Sequence, residues 1–340
     1  MLSMNHSKAV IFGCKGSNLM PDESVFFAET NPIGFILFAR NCVNPKQLKK
    51  LIKDLRKSIN NDKAPILIDQ EGGRVVRLGV PHWREPPAAQ VFADLATKDI
   101  DLACEALHLN IRLIGEELRD LGVNVNCLPV LDIRFDGTDP IISDRAFGGD
   151  AEKIPILGRV ACDALLMEGV LPVIKHIPGH GRANVDSHKA LPIVQTDWTE
   201  LSKTDFLPFK LLADMPLAMT AHIIYNAIDP ENPATTSSKI IQKIIREEIS
   251  FDGLLISDDL SMRALDGDFS FRTKAALEAG CDVVLHCNGD MSEMRAIADV
   301  VSNLSHKSVD RLERALVRIE RFESLNRKVA LERLVELGIN

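Results

Sequence analysis

The sequence predicts an α/β protein built as a single (β/α)8 TIM-like barrel, in which eight parallel strands alternate with eight helices. Most of the short apolar runs in the chain are rich in β-branched residues and apolar on both faces, as parallel strands covered by helices are. There are eight such runs, at 9–13, 33–39, 65–69, 123–133, 171–176, 217–223, 253–259 and 281–287. A doubly wound open sheet remains the alternative, because the sequence does not give the strand order.

Three of the segments between these runs carry helix signals. Asn44 is a favourable N-cap and is followed by proline, which suits the first position of a helix. Segment 101–122 spaces its apolar residues by three and four and closes on Gly122, which indicates an amphipathic helix with a glycine at its end. Segment 237–250 repeats the spacing before the seventh run. Strands and helices therefore alternate as a barrel requires.

The chain shows no linker or low-complexity segment, so we expect one domain over residues 1–340. Its last part is predicted to form a C-terminal helix, about 309–336, packed on the barrel. One face of that helix is apolar and carries Leu312, Leu316, Ile319, Phe322 and Leu325. A dimerising coiled coil would need a longer heptad pattern than this segment has. We therefore expect a monomer.

Composition excludes several classes of protein. There are 48 acidic and 40 basic residues, a net charge of −8, so the surface disfavours nucleic acid as a partner. The seven cysteines are odd in number and form no CxxC motif, which fits free thiols in a reducing compartment. No apolar run approaches the roughly 18 residues that span a membrane, and the start does not resemble a signal peptide. We expect a cytoplasmic protein that does not bind membranes.

Polar residues stand at the carboxyl ends of several predicted strands, where barrels of this kind carry their chemistry. Asp69 ends the third run, Lys175 and His176 end the fifth, and Asp258 and Asp259 end the seventh. Because these ends meet at one rim of a barrel, we expect the side chains to converge. Asp259 is expected to be structural, since alternation along the strand points it away from Asp258.

The segment "HIPGHGRANVDSH", residues 176–188, follows the fifth run. It has no phosphate-binding fingerprint. It contains metal-ligand residue types but lacks the HxH and HExxH spacings, and Lys175 would repel a metal. Asp186 and His188 are two residues apart, which suits a carboxylate that holds an imidazole for proton transfer. A carboxylate such as Asp258 then serves as nucleophile.

Five longer segments occur along the chain in a fixed order and read "IDQEGGRVVRL", "ISDRAFGGD", "KHIPGHGRANVDSHKALP", "TAHIIY" and "FDGLLISDDLSM". With these segments, the chain resembles the β-N-acetylhexosaminidases of glycoside hydrolase family 3, in particular the cytoplasmic NagZ type, over roughly residues 8–290. The one departure is Ile177, where phenylalanine is expected, and it concerns packing.

The resemblance implies a retaining glycosidase with a covalent glycosyl-enzyme. Asp258 matches the nucleophile, His188 the acid/base and Asp186 its partner. The implied substrate is a small carbohydrate, and the implied role is removal of terminal N-acetylglucosamine from 1,6-anhydro-muropeptides in cell-wall recycling. The residues that match the N-acetylglucosamine-binding set are Asp69, Arg77, Arg145, Lys175 and His176.

Several alternatives stay open. Asp69 and Arg77 can instead form a structural ion pair, His180 can simply shape its loop, and His222 is either a pocket wall or a core histidine. We expect no metal and no organic cofactor. The rival functions are a metal-dependent barrel hydrolase that uses the same histidines and a catalytically inactive sugar-binding protein.

Overall fold

The computed structural model describes residues 6–183, 185–187 and 190–339. Within them, eight parallel strands close into a barrel. The barrel strands are β1 (Lys8–Gly13), β2 (Pro32–Leu37), β3 (Ile66–Ile68), β4 (Val125–Asn126), β5 (Leu171–Ile177), β7 (Leu217–Thr220), β9 (Leu254–Asp259) and β10 (Val283–His286). Their order around the barrel is β1-β10-β9-β7-β5-β4-β3-β2. A separate two-stranded sheet joins β6 (Ile193–Val194) to β8 (Ile224–Tyr225).

Closure of the barrel decides between the two architectures that the sequence allowed. β1 pairs in parallel with both β2 and β10, so the first and last barrel strands are neighbours. An open doubly wound sheet lacks this pairing, and the predicted barrel is confirmed. The assignment of the whole chain 1–340 to one domain stays a prediction.

Helices surround the barrel. They are α1 (Pro21–Thr30), α2 (Pro45–Ser58), α3 (Ala89–Ala96), α4 (Ile100–Leu121), α5 (Lys153–Met167), α6 (Trp198–Lys203), α7 (Leu207–Leu211), α8 (Phe269–Ala279), α9 (Met291–Ala298), α10 (His306–Val317) and α11 (Arg327–Glu336). Ala39–Asn41, Ser143–Arg145 and Ala234–Thr236 are 3-10 turns, and Ile240–Glu248 is a π-helix. Among the described helices, none is long and apolar enough to cross a lipid bilayer.

Two predicted helix ends are confirmed by their caps. The side chain of Asn44 accepts a hydrogen bond from the backbone N–H of Gln47 at 3.0 Å and so begins α2. Gly122 has φ +91°, a left-handed conformation that ends α4. Local sequence therefore determines these two boundaries.

The prediction of one continuous C-terminal helix over 309–336 is wrong, because α10 and α11 are separated by a non-helical stretch. In that stretch the backbone N–H of Glu323 donates to the carbonyl of Met167 at 2.8 Å instead of bonding within a helix. Asn326 then caps α11 by accepting a bond from a backbone N–H three residues later. Phe322, expected on the buried face, is 58% exposed.

Candidate active site

A cavity of about 360 Å³ lies at the carboxyl ends of the barrel strands. Asp69 follows β3 directly, Lys175 and His176 lie in β5, and Asp258 lies in β9. The barrel therefore brings together side chains that are far apart in sequence. The predicted site residues that line the cavity are Asp69, Arg77, Arg145, Lys175, His176 and Asp258.

Five of the charged side chains form what we call the upper ion cluster, made up of Asp69, Glu71, Arg77, Arg145 and Lys175. Lys175 Nζ lies 3.0 Å from Asp69 Oδ1 and 2.6 Å from Glu71 Oε1, and its side chain is 2% exposed. Arg77 Nη2 lies 3.1 Å from Asp69 Oδ2. The ion pair between Asp69 and Arg77 is thus present, as part of a larger cluster that faces the cavity.

The charges in the upper ion cluster keep its members ionised. Burial by itself would lower the pKa of Lys175, but the carboxylates of Asp69 and Glu71 outweigh it and hold that pKa above its ordinary value. Burial would likewise raise the pKa of Asp69, yet Lys175 and Arg77 lower it. The cavity therefore presents fixed cations and fixed carboxylates to a ligand.

Glu71 belongs to this cluster and was missed by the sequence analysis. Arg145 Nε lies 2.8 Å from Glu71 Oε2, and Arg145 Nη2 lies 2.8 Å from Glu71 Oε1, so the contact is bidentate. Burial acts to raise the pKa of Glu71, but Arg145 and Lys175 hold it well below its usual range. The only sequence signal was its position two residues after Asp69, in the same strand-end loop.

Asp132 is a second residue that the sequence analysis missed. Its carboxylate is fully buried, and Asp132 Oδ2 lies 2.7 Å from His176 Nδ1. Its Oδ1 accepts the backbone N–H of His180 at 2.6 Å. A carboxylate accepts only from a protonated ring nitrogen, so Asp132 fixes the orientation and tautomer of His176. The sequence signal was weak, because Asp132 lies within the long apolar run 123–133.

Asp258 is oriented by backbone contacts at the end of β9. Its N–H donates to Thr220 Oγ1 at 3.3 Å, and its Oδ1 accepts the backbone N–H of Asp259 at 2.8 Å. The carboxylate of Asp259 accepts the backbone N–H groups of Ser261 and Cys287 at 3.0 and 3.2 Å. Asp259 therefore ties the loops after β9 and β10 together. It also lines the cavity beside Asp258, so the expectation that it points away from Asp258 is not met.

The loop after β5 contains the rest of the predicted catalytic set. His188 lies outside the described residues. Asp186 is buried, and its neighbour Ser187 lines the cavity. Ser187 Oγ lies 3.2 Å from Nε2 of His180, a buried residue that also lines the cavity. Burial, together with the neighbouring imidazole of His176, lowers the pKa of His180 to about 4, so His180 is neutral near pH 7.

His222 is a hydrogen-bonded core histidine. Its Nδ1 lies 2.7 Å from Thr235 Oγ1 and its Nε2 lies 3.1 Å from the carbonyl oxygen of Asp259. Across the described part of the chain, no group of three or more His, Cys, Asp or Glu side chains is arranged to hold a metal ion. Independence from metals stays a prediction.

Comparison with known sequences identifies the family. Residues 22–322 match the model of the glycosyl hydrolase family 3 N-terminal domain. A β-hexosaminidase of Methylobacillus flagellatus is 37% identical over 288 residues, which cover 83% of this chain and 80% of that protein. A β-hexosaminidase of Nitrosomonas eutropha is 35% identical over 302 residues, covering 88% and 86% of the two chains.

Comparison with solved structures agrees. The crystal structure of NagZ from Neisseria gonorrhoeae in complex with N-trifluoroacetyl-D-glucosamine has a TM-score of 0.86 at 28% identity, covering 98% of each chain. A family 3 β-N-acetylglucosaminidase from a Paenibacillus strain also has a TM-score of 0.86, at 29% identity, covering 99% of this chain and 68% of that one. The chain therefore belongs to glycoside hydrolase family 3 and is a glycoside hydrolase.

Proposed function

We propose that this glycoside hydrolase is a retaining β-N-acetylglucosaminidase that removes terminal N-acetylglucosamine from 1,6-anhydro-muropeptides in cell-wall recycling. The observation that carries the proposal is the position of Asp258, in one cavity with the upper ion cluster and His176. The names of the β-hexosaminidase relatives support the reaction. The sugar derivative bound by the Neisseria gonorrhoeae protein supports the substrate class.

In the proposed mechanism, the carboxylate of Asp258 attacks the anomeric carbon and forms a glycosyl ester. His188 donates a proton to the leaving oxygen and then takes one from the water that hydrolyses the ester. Asp186 stabilises the imidazolium, as the aspartate of a serine-protease triad does. Two displacements at one carbon give overall retention of configuration.

The upper ion cluster and His176 hold the sugar in this proposal. Within the described residues, Lys175 uses two of its three N–H donors on Asp69 and Glu71, and the third is proposed to bind a sugar hydroxyl. Hydrogen bonds to charged groups contribute about 1.5–3 kcal/mol each. A sugar with several hydroxyls and an acetamido group offers partners for these donors and for the carboxylate of Asp69.

The substrate class is tested with a chromogenic nitrophenyl N-acetyl-β-glucosaminide beside the matching glucoside. We expect a higher kcat/KM for the acetamido sugar, and release of N-acetylglucosamine from a purified 1,6-anhydro-muropeptide. Equal activity on the glucoside would contradict the assignment. Absence of turnover on every glycoside would instead favour an inactive sugar-binding protein.

The role of His188 is tested with His188→Ala. Loss of general acid/base help costs about 10²–10⁴-fold. With a nitrophenyl substrate, the glycosyl-enzyme should form readily and hydrolyse slowly, giving a burst and a lowered KM. Azide should speed turnover and yield the β-glycosyl azide, because an anion needs no general base.

His306→Ala is the matched control for His188→Ala, because His306 is exposed at the start of α10. It should leave activity and azide response unchanged. An α-configured azide product from His188→Ala, or no burst, would overturn the proposed roles. Asp186→Asn should show a milder form of the His188→Ala behaviour.

We further propose that the enzyme works as a cytoplasmic monomer without metal or organic cofactor. Activity that survives exhaustive treatment with EDTA is expected, and size-exclusion chromatography should give the mass of one chain. Restoration of lost activity by zinc after chelation would favour the metal-dependent alternative.

A further inference from the structure

We propose that Glu71 is a specificity-determining residue that makes the cavity reject a sugar unit whose own ring carries a carboxylate. The inference rests on the proposed function, since it takes the sugar unit bound in the cavity to be the neutral N-acetylglucosamine. It concerns which sugars enter the cavity and leaves the steps of the reaction unchanged.

The first argument is the geometry of Arg145. Two N–H groups on one edge of its guanidinium, Nε and Nη2, each lie 2.8 Å from an oxygen of Glu71. Bidentate pairing of this kind is how arginine recognises the carboxylate of a ligand. Glu71 therefore occupies, from within the chain, the position on Arg145 that a ligand carboxylate would take.

The second argument is the charge balance of the cavity. Among the described residues, four cations line it, Arg74, Arg77, Arg145 and Lys175. Four carboxylates line it with them, Asp69, Glu71, Asp258 and Asp259. These residues have no surplus cation to receive the added negative charge of a ligand carboxylate, in a region where charge is poorly screened. A neutral sugar adds no charge to the cavity.

The third argument is that the backbone around Glu71 does not depend on its carboxylate. The backbone N–H of Glu71 donates to the carbonyl of Val75 at 2.9 Å, and that of Gly72 donates to the same carbonyl at 3.2 Å. The loop is therefore held by its own main chain. Replacement of Glu71 by glutamine removes the charge and keeps the shape, so a change of selectivity is attributable to charge.

The test measures binding by calorimetry for two ligands that differ at one carbon, N-acetylglucosamine and the uronic acid obtained by oxidising its C6. The wild-type protein should bind the neutral sugar about tenfold or more tightly than the acid. Glu71→Gln should bind the acid about tenfold or more tightly than the wild type does, because Arg145 and Lys175 are then available. Glu71→Asp keeps the charge and should keep the preference for the neutral sugar.

Asp144→Asn is the matched control. Asp144 pairs with Arg74, which lines the same cavity, at 2.7 Å, and both side chains are more than a third exposed. This variant also removes one carboxylate charge, from a solvated pair at the rim. It should leave both affinities unchanged, and an equal gain of acid binding in this control would overturn the proposal.

The proposal is also overturned if folded Glu71→Gln binds the acid no more tightly than the wild-type protein does. If Glu71→Gln fails to fold, the wild-type protein decides, because equal affinity for the two ligands is incompatible with the proposal. Failure of the wild type to bind N-acetylglucosamine contradicts the proposed function instead. A gain of acid binding in Glu71→Gln still supports the role of Glu71 in that case.

Discussion

The two ends of the barrel each contain a buried cluster built around ion pairs, and only the cluster at the carboxyl ends faces the candidate active-site cavity. The upper ion cluster lies at the carboxyl ends of the strands. The lower ion cluster lies at the amino ends and consists of Arg246, Asp282, Ser308 and Arg311. Side chains in the two clusters are similarly buried, with Lys175 2% and Asp282 4% exposed. Burial and residue type therefore do not distinguish them.

Hydrogen bonding distinguishes the clusters. Asp282 Oδ1 accepts from Ser308 Oγ at 2.7 Å and from Arg311 at 2.9 Å. Its Oδ2 accepts from the backbone N–H of Leu255 at 2.9 Å and from Arg246 at 2.8 Å. These bonds join α10 to β9 and β10, and they use all four acceptor positions of the carboxylate. A cavity of about 510 Å³ lies beside the cluster, but Asp282 has no acceptor left for a ligand.

The comparison shows that the same ion-pair chemistry serves different purposes at the two ends of a barrel. At the amino ends, charged groups that pair completely with one another hold the helices in place. At the carboxyl ends, the loops leave a cavity, and the charged groups keep donors for a ligand. Substitutions in each cluster therefore have different expected effects.

The largest expected effect is that of Asp258→Asn, which removes the anion that attacks the sugar. Turnover should be lost on every substrate, including those with good leaving groups, while the melting temperature changes little. Nitrophenolate release and thermal unfolding provide the two measurements. Turnover at a wild-type rate would refute the role of Asp258. It would also remove the reason for assigning a catalytic function to the end of the barrel that holds the upper ion cluster.

Asp282→Asn is the corresponding change in the lower ion cluster. It leaves Arg246 and Arg311 buried without their full counter-charge, and breaking a buried ion pair costs about 3–5 kcal/mol of unfolding free energy. The kcat/KM of the folded protein should stay at the wild-type value. Urea unfolding and initial rates on the same samples test both statements.

Asp252→Asn is the matched control for Asp282→Asn. Asp252 pairs with the same Arg311 at 2.7 Å but is 60% exposed. Exposed pairs contribute about 0–1 kcal/mol. If the two variants lost equal stability, burial would not be the reason for the strength of the lower ion cluster.

Acid should destabilise the upper end of the barrel through His180. Its pKa in the folded protein is lowered to about 4 from 6.5, so the unfolded chain takes up a proton first as pH falls. The stability it contributes is present above about pH 6.5 and is lost as pH falls toward about 4, by roughly 3 kcal/mol. Urea unfolding at about pH 7 and about pH 4.5 measures the change.

His180→Gln removes this titration. The unfolding free energy of the variant should depend less on pH across that window than that of the wild type. An identical slope in His180→Gln and wild type would show that His180 is not the group responsible.

Lys175→Ala should lower activity by less than Asp258→Asn does. It removes one charge-assisted contact to the sugar, expected to lower kcat/KM by the equivalent of about 1.5–3 kcal/mol. Stability should fall as well, because Asp69 and Glu71 lose their shared cation. Lys175→Ala is thus expected to lose both activity and stability, whereas Asp282→Asn is expected to lose stability alone. An unchanged kcat/KM in Lys175→Ala would remove Lys175 from the sugar-binding set.

The sequence by itself determined the features that depend on near neighbours in the chain. Apolar runs with β-branched residues gave the eight barrel strands, and Asn44 and Gly122 marked two helix ends. Asp69 and Asp258 were identifiable because they stand at strand ends, and parallel strands bring their carboxyl ends to one rim. These inferences need only periodicity and capping chemistry, which act over a few residues.

Only the tertiary structure decided the pairings between distant residues. Glu71 and Arg145 are 74 positions apart, and Asp132 and His176 are 44 apart. The break between α10 and α11 accompanies a backbone bond from Glu323 to Met167. No local pattern encodes such contacts, because they form only when the closed barrel places strand-end loops and outer helices side by side. The sequence predicted the rim at which the candidate site lies, and the fold determined which charges at that rim neutralise one another.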